Sequence, residues 1–169
     1  MHFRFAHDFD LDPKEYWDLF LSDEFNVELY QRLKMKKREV LEKKDEGNLM
    51  RRVQRFTPST EMPAMIQSLV SDISYTEINE LRRDKSEMTV VIEPAMMKNK
   101  FDFKALYSVK PLAPGKCRRA FEGDVKVSVM LVGGQMEKFM VDQMATAYDT
   151  AAKLTREWIE RRKAQAPSA

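Results

Sequence analysis

The 169-residue sequence predicts an α+β fold. A curved antiparallel sheet of about seven strands wraps a long C-terminal helix, and two short helices follow the first strand. Three observations carry this expectation. Residues 134–163 place Met136, Met140, Met144, Ala147, Ala151, Leu154 and Trp158 at the three-and-four spacing of one helical face, flanked by Phe139, Tyr148 and Ile159. The opposite face is charged, with Asp149 one turn before Lys153 and Glu157 one turn before Arg161, the acid-first order that supports an exposed helix surface. At about 1.5 Å per residue, these roughly 30 residues reach about 45 Å, so the helix needs a large surface to lie on. What precedes it is a run of alternating segments separated by turn signals. The loops between those segments are too short for parallel crossovers, which makes the sheet an antiparallel meander.

The elements follow in order. Over residues 2–9, Phe3, Phe5 and Phe9 alternate with His2, Arg4 and Asp8, the pattern of a half-buried strand. A strong helix start comes next: Asp12 reads as N-cap, Pro13 as first helical residue and Glu15 as the closing member of a capping box, with Leu11 and Tyr16 placed for a hydrophobic staple. This helix ends near Leu21, and Ser22 caps a second one running to about Lys34 with the stripe Phe25, Leu29, Tyr30 and Leu33. Strands are expected over 35–43 and 49–57 around a turn at Asp45, Glu46 and Gly47, then over 75–82 and 87–93 around Arg83, Asp84 and Lys85. Pro94 belongs at an edge or bulge. Residues 101–110 alternate cleanly, Pro114 and Gly115 turn the chain, and 117–131 set Phe121, Gly123, Val125, Val127 and Val129 against Arg118, Glu122, Asp124, Lys126 and Ser128. Between Pro58 and Asp72 the meander is interrupted, because Met62, Met65, Ile66, Leu69 and Val70 recur at helical spacing and predict a short inserted helix over 63–71. The chain reads as one domain over 1–163, with 164–169 a disordered tail.

Composition bounds the rest. Hydrophobic residues make up 43% and charged residues 33%, the balance of a globular chain and not of a disordered one. With 29 basic against 27 acidic residues there is no global field to recruit nucleic acid, and none is expected as a partner. The opening residues lack the pattern of a secretory signal, and no run approaches the length of a membrane span, so a cytoplasmic location without stable membrane insertion is expected. The polar outer faces of helix and sheet lead to a monomer or weak dimer. Twelve methionines are more than usual, and this flexible thioether fills irregular apolar spaces.

The order strand, two short helices, six strands and long helix resembles the helix-grip fold of the START, Bet v 1 and polyketide-cyclase (SRPBCC) superfamily. Its most characteristic piece is the lead-in to the last helix, Val132, Gly133, Gly134, Gln135, Met136, Glu137 and Lys138, similar to the glycine-then-glutamate pattern common there. The opening Phe3, Arg4, Phe5, Leu11, Asp12, Pro13, Tyr16 and Trp17, together with Cys117, Arg118, Arg119, Phe121, Glu122 and Gly123, looks like a bacterial branch of it. The resemblance implies an apolar cavity between the concave sheet and the long helix, used across the superfamily for lipids, sterols, quinones, polyketides or plant hormones. A few members are cyclases and others bind proteins, and fold alone does not choose among these.

No local pattern marks a catalytic centre. Two histidines and one cysteine lack any metal-ligand spacing, and no nucleophile signature is present, so no cofactor is expected. His7 reads as a satisfied core or edge histidine. Cys117 reads as an ordinary strand residue, although Lys116, Arg118 and Arg119 beside it are placed to lower its pKa. Gly133 and Gly134 let the chain turn tightly into the helix, and anion binding on their N–H groups is the weaker alternative. The basic runs Lys34, Lys36, Lys37, Arg38 and Arg51, Arg52, Arg55 are diluted by nearby acids and read as a solvated face.

The stripe Met136, Met140 and Met144 is both a plausible core and, on this fold, the wall of a cavity; a flexible lining suits an elongated or variable apolar ligand. With it, the expected lining takes Phe139, Gln143 and Ala147 from the same helix. The sheet is expected to contribute Val90, Ile92, Phe103, Tyr107, Phe121 and Val125. Leu29 and Leu33 come from the second helix, and Met62, Met65, Ile66 and Leu69 from the inserted one. The leading reading is a non-catalytic binding or carrier protein for a lipid-, quinone- or polyketide-like molecule. Tyr107, Gln143, Asn79, Tyr148 and Glu93 are the polar groups that could orient a ligand inside, and the alternative is a cyclase or aromatase in which Tyr107, Asn79 or Glu93 moves protons. A third reading, a protein-interaction module on the outer sheet face, is opposed by Lys104, Arg118, Glu122 and Lys126. For the inserted helix, a lid over one mouth of the cavity and a static plug both remain open.

Overall fold

The computed structural model describes residues 1–59 and 61–165. The element order is β1 (His2–Phe9), α1 (Pro13–Leu21), α2 (Asp23–Arg32), β2 (Met35–Glu46), β3 (Leu49–Pro58), α3 (Ala64–Gln67), β4 (Tyr75–Arg82), β5 (Glu87–Pro94), β6 (Phe101–Ala113), β7 (Lys116–Val127) and α4 (Gly133–Gln165). A single 3-10 turn, Lys98–Lys100, joins β5 to β6. All pairings are antiparallel in one seven-stranded sheet of order β1-β7-β6-β5-β4-β3-β2, so the first strand closes on the last and the meander is otherwise consecutive. This is the helix-grip arrangement. The free edge strand β2 is protected by its charges Lys36, Lys37, Glu39, Lys43 and Lys44, and by register irregularities between Met35 and Lys37 and between Val40 and Glu42.

Local chemistry sets the helix ends. The Asp12 backbone N–H donates to Glu15 Oε2 at 3.1 Å, and Leu11 and Tyr16 are both buried where the staple places them. Ser22 Oγ accepts from the Phe25 N–H at 3.4 Å. The second helix stops at Arg32, short of Lys34, because Lys34 turns left-handed at φ 52° and leads directly into β2. The last strand ends at Val127, not 131; the chain needs residues 128–132, with Leu131 at φ 69°, to swing into α4. Glu137 Oε1 accepts the Val127 N–H at 2.9 Å, which ties the start of α4 to the end of β7. The inserted helix shrinks to the single turn of α3, since Pro63 starts it and the chain must return to β4 by Tyr75. Of the expected tail, 164 and 165 continue α4, and 166–169 lie outside the described residues.

The long helix has two unlike halves. Tyr148, Ala151, Ala152, Leu154 and Ile159 are buried in the main core together with Phe9, Leu11, Trp17 and Leu19. Met136, Met140 and Met144, nearer the start, are only half-buried. The apolar face that the spacing predicts is thus divided between a packed end and an open end.

Candidate functional site

At the open end a cavity of about 380 Å³ lies between the sheet and the first half of α4, within the range of roughly 300–1,000 Å³ typical of small-molecule sites. One wall is the α4 face carrying Met136, Phe139, Met140, Gln143, Met144 and Ala147. Ile92 and Tyr75 supply the sheet floor, Leu33 the C-cap of α2, Met35 the start of β2, and Met62, Ile66 and Val70 the cover around α3. Seven of the twelve methionines, Met35, Met62, Met96, Met97, Met136, Met140 and Met144, touch this one space. Their unbranched side chains re-pack at low cost, which gives walls that conform to what they enclose. Besides Gln143 and Tyr75, the polar residues of the lining are Arg32, Lys34, Asp72, Ser74, Thr146 and Thr150. Burial pushes the Tyr75 phenol well above its ordinary pKa, so it stays protonated.

Several residues expected at this site are elsewhere. Val90, Phe103 and Val125 are packed into the core and do not reach the cavity. Phe121 is engaged in the aromatic cluster, stacked on Tyr148 at 5.8 Å between ring centroids. Leu29 is buried between α2 and the core, whereas Leu33, one turn later, reaches the cavity. Met65 and Leu69 are each 43% exposed, because a single helical turn can aim only Met62, Ile66 and Val70 inward. Met35, Tyr75, Met96, Met97 and Phe101 line the cavity and were not foreseen. For Met35, Met96 and Met97 the unusual methionine count was the signal, which the expected lining did not follow beyond the α4 stripe and the inserted helix; Tyr75 and Phe101 had none.

The polar groups that a cyclase reading needs are also placed elsewhere. Tyr107 lies in the main core with its hydroxyl 2.5 Å from that of Tyr16, and burial raises its pKa well above the usual phenol value. Asn79 is fully buried and donates to Glu77 at 2.8 Å, and Glu93 is exposed on the outer face. Tyr107 and Tyr148 instead surround Arg119, which is wholly buried. The Arg119 guanidinium lies 3.7 Å from the Tyr148 ring centroid and donates to Tyr16 Oη at 3.2 Å, to the Tyr148 carbonyl at 2.9 Å and to His7 Nδ1 at 3.0 Å. Cys117 is buried and its thiol is pushed up to about 11 by burial, then by Asp12 and Asp8, so the flanking basic residues do not activate it. Arg52 also departs from the expected solvated face, being only 4% exposed on the inner side of β3. Gly133 serves close packing: a Cβ there would meet the Val127 carbonyl oxygen at 2.2 Å. Among the described residues no group of three or more His, Cys, Asp or Glu is arranged to hold a metal ion, and no helix is long and apolar enough to cross a membrane.

The sequence profile of the family described as "Protein of unknown function (DUF2505)" matches residues 4–159. The chain belongs to the DUF2505 family. No curated protein matches it. Solved structures show which fold this DUF2505 chain has. It is similar to the ZhuI aromatase/cyclase from Streptomyces sp. R1128 at 10% identity and a TM-score of 0.66, covering 100% of this chain and 99% of that one. It is similar to norcoclaurine synthase from Thalictrum flavum at 14% identity and a TM-score of 0.64, covering 92% and 86%. It is similar to a START superfamily protein from Mycobacterium smegmatis at 16% identity and a TM-score of 0.56, covering 95% and 97%. At such identities the likeness concerns the fold, which places this DUF2505 chain on the helix-grip architecture of the START, Bet v 1 and polyketide-cyclase superfamily.

Proposed function

We propose that this protein binds and carries an apolar small molecule, lipid-, quinone- or polyketide-like, without transforming it, as a monomer or weak dimer. The observation that carries the reading is the methionine-walled cavity of about 380 Å³ against the first half of α4. A fixed core is better served by leucine and isoleucine, whose rotamers are few, whereas thioether walls tolerate a guest of variable shape. The structural neighbours include proteins of the START and aromatase/cyclase kinds, which supports a ligand-binding use of this fold. Tyr107, Asn79 and Glu93, the groups named for proton transfer, do not line the cavity, and this favours a carrier over a cyclase.

The test is native purification followed by organic extraction and mass spectrometry of the extract. An apolar molecule at near-stoichiometric amount is expected from the unaltered protein and is expected to vanish from Met144→Trp, which fills the cavity from α4. An empty extract combined with no uptake of any added apolar probe would overturn the proposal.

A further inference from the structure

Alternate connections of an antiparallel meander fall at opposite ends of its sheet. The β2–β3, β4–β5 and β6–β7 turns share one end, and the links 61–74, 95–100 and 128–132 share the other. Hydrogen bonds join these three links side by side. Ala95 N donates to the Ser74 carbonyl at 2.8 Å, Ser71 Oγ to Met96 Sδ at 3.3 Å, and Ser128 N to the Lys100 carbonyl at 2.7 Å. The first two line the main cavity through Val70 and Met97, and the third starts directly after another lining residue, Val127.

The third link carries the most exposed apolar side chains of the described residues. It is anchored on both sides: Ser128 is bonded as above, Gly133 N donates to the Val129 carbonyl at 2.9 Å, and Val129 packs partly buried against the core. Between these anchors Met130 is 86% exposed and Leu131 is 91% exposed, whereas no other large apolar side chain of the described residues exceeds 56%. Met65 and Leu69 in the first link also stand outward. Beside the tip, Lys98 and Lys100 of the second link are exposed and outside the ion pairs of the described residues. Of the acids at this end, Asp72 and Glu137 accept from the backbone N–H groups of Ser74 and Val127, and Asp102 lies 3.7 Å from Lys104. Glu61 and Glu93 are exposed.

We infer that this end of the molecule docks reversibly on a lipid surface, with Met130 and Leu131 entering the apolar layer and Lys98 and Lys100 lying against anionic head groups. A stable protein interface needs about 800 Å² from each partner around a packed apolar centre. The exposed apolar residues here come instead as two pairs on two separate links. A fluid lipid surface accepts such tips one by one, and apolar side chains beside lysines give the combined apolar and electrostatic attachment of a protein that lies on a membrane without spanning it. The docking stands on the exposed tip and goes beyond the proposed binding function. Taken with that function, it lets an apolar guest pass between lipid and the cavity without crossing water.

Co-sedimentation of the full chain with vesicles of phosphatidylcholine, alone or with about one third phosphatidylglycerol, tests this. The unaltered protein is expected on both, more tightly on the anionic vesicles. Met130→Ser combined with Leu131→Ser lowers the affinity for both by more than about tenfold. Lys98→Gln combined with Lys100→Gln lowers it on anionic vesicles alone, by about fivefold per lysine. Leu112→Ser, at an exposed position on the opposite end of the sheet, changes neither. Unaltered protein that stays in solution with both kinds of vesicle overturns the docking. Retained binding in the Met130, Leu131 variant overturns it too, as does an equal loss in Leu112→Ser. Uptake of 1-anilinonaphthalene-8-sulfonate, measured on the same proteins without vesicles, separates this from the cavity's function. Vesicle binding lost in the tip variant with uptake kept supports the docking and shows that the variant is folded. No uptake by an unaltered protein that still binds vesicles removes the proposed binding function and upholds the docking.

Discussion

At Arg119 a guanidinium is held in the core with aromatic faces, a tyrosine hydroxyl and a backbone carbonyl as its partners, and His7 as its link to the surface. Because Arg119 donates to Nδ1 of His7, the ring proton sits on Nε2, which donates to Asp149 at 2.9 Å. Burial and then the Arg119 charge lower the His7 pKa below 6.5, outweighing the opposing pull of Asp149. In the unfolded chain His7 titrates near 6.5, so below that pH the unfolded state binds more protons than the native one. The His7 contribution to stability is therefore level above 6.5 and falls as pH drops below it, until the native ring is itself protonated. Urea melts across this range are expected to show the loss in the unaltered protein and a shallower slope in His7→Gln; equal slopes would discard the account. Cys117 gives a second expectation: with its thiol pushed up to about 11 and its side chain buried, it resists alkylation at neutral pH in the native protein and reacts once urea unfolds it. Rapid native labelling would contradict this. Arg119 was legible in the sequence, since the alternation that turns Phe121, Gly123 and Val125 inward turns 119 inward as well; its charge masked the phase of the strand.

Two elements carry opposite expectations for small changes. Gly133 and Gly134 both lie in the first turn of α4, yet only Gly133 is pressed against β7. Gly133→Ala forces a Cβ onto the Val127 carbonyl and destabilises by more than about 1 kcal/mol, in the manner of overpacking. Gly134→Ala meets nothing within 4 Å and gains helix propensity, stabilising by up to about 1 kcal/mol. Thermal melts of the two variants read the difference, and shifts of the same sign would refute it. The turn α3 separates lid from plug in a similar way. Ile66 is 4% exposed over the cavity and Met65 is 43% exposed away from it. As a plug, Ile66→Ala costs about 2–5 kcal/mol, the range of large-to-small core changes. As a lid it leaves stability nearly unchanged and speeds release of a bound apolar probe. Met65→Ala, on the outer side, is expected within about 0.5 kcal/mol of the unaltered protein in either case.

On the scale of the whole molecule, the succession of strands along the chain and the long helix were legible because periods of two and of 3.6 residues are written locally, between caps and turns such as Asp12 to Glu15 and Pro114 to Gly115, whereas the pairing of β1 with β7 is a long-range contact that no local pattern records. The division of the molecule into a tight end and a loose end was not, since it depends on where β5 parts from β6 and on which half of α4 meets aromatic rings, both long-range outcomes of packing. The tight end joins Phe9, Leu11, Leu19, Leu154 and Ile159 around β1, α1 and the second half of α4. The loose end comprises the stretch beyond Val91 and Lys104 where the β5–β6 ladder has ended, the segment 61–74 and the methionine face of α4, whose side chains are partly buried against the core and not enclosed in it. Local opening follows the density of buried contacts, so amide exchange should be polarised along α4: slow from Tyr148 to Ile159, faster from Met136 to Met144, and fastest over 62–70 and 92–101. A ligand at about 100 times its Kd adds roughly 2.7 kcal/mol to the stability of the state that binds it. Because the proposed ligand would contact those three stretches and not the tight end, exchange is expected to slow first there, with the tight end changing least. Hydrogen-exchange mass spectrometry with and without a bound apolar molecule measures both patterns, and uniform exchange along α4 would remove the division on which this expectation stands.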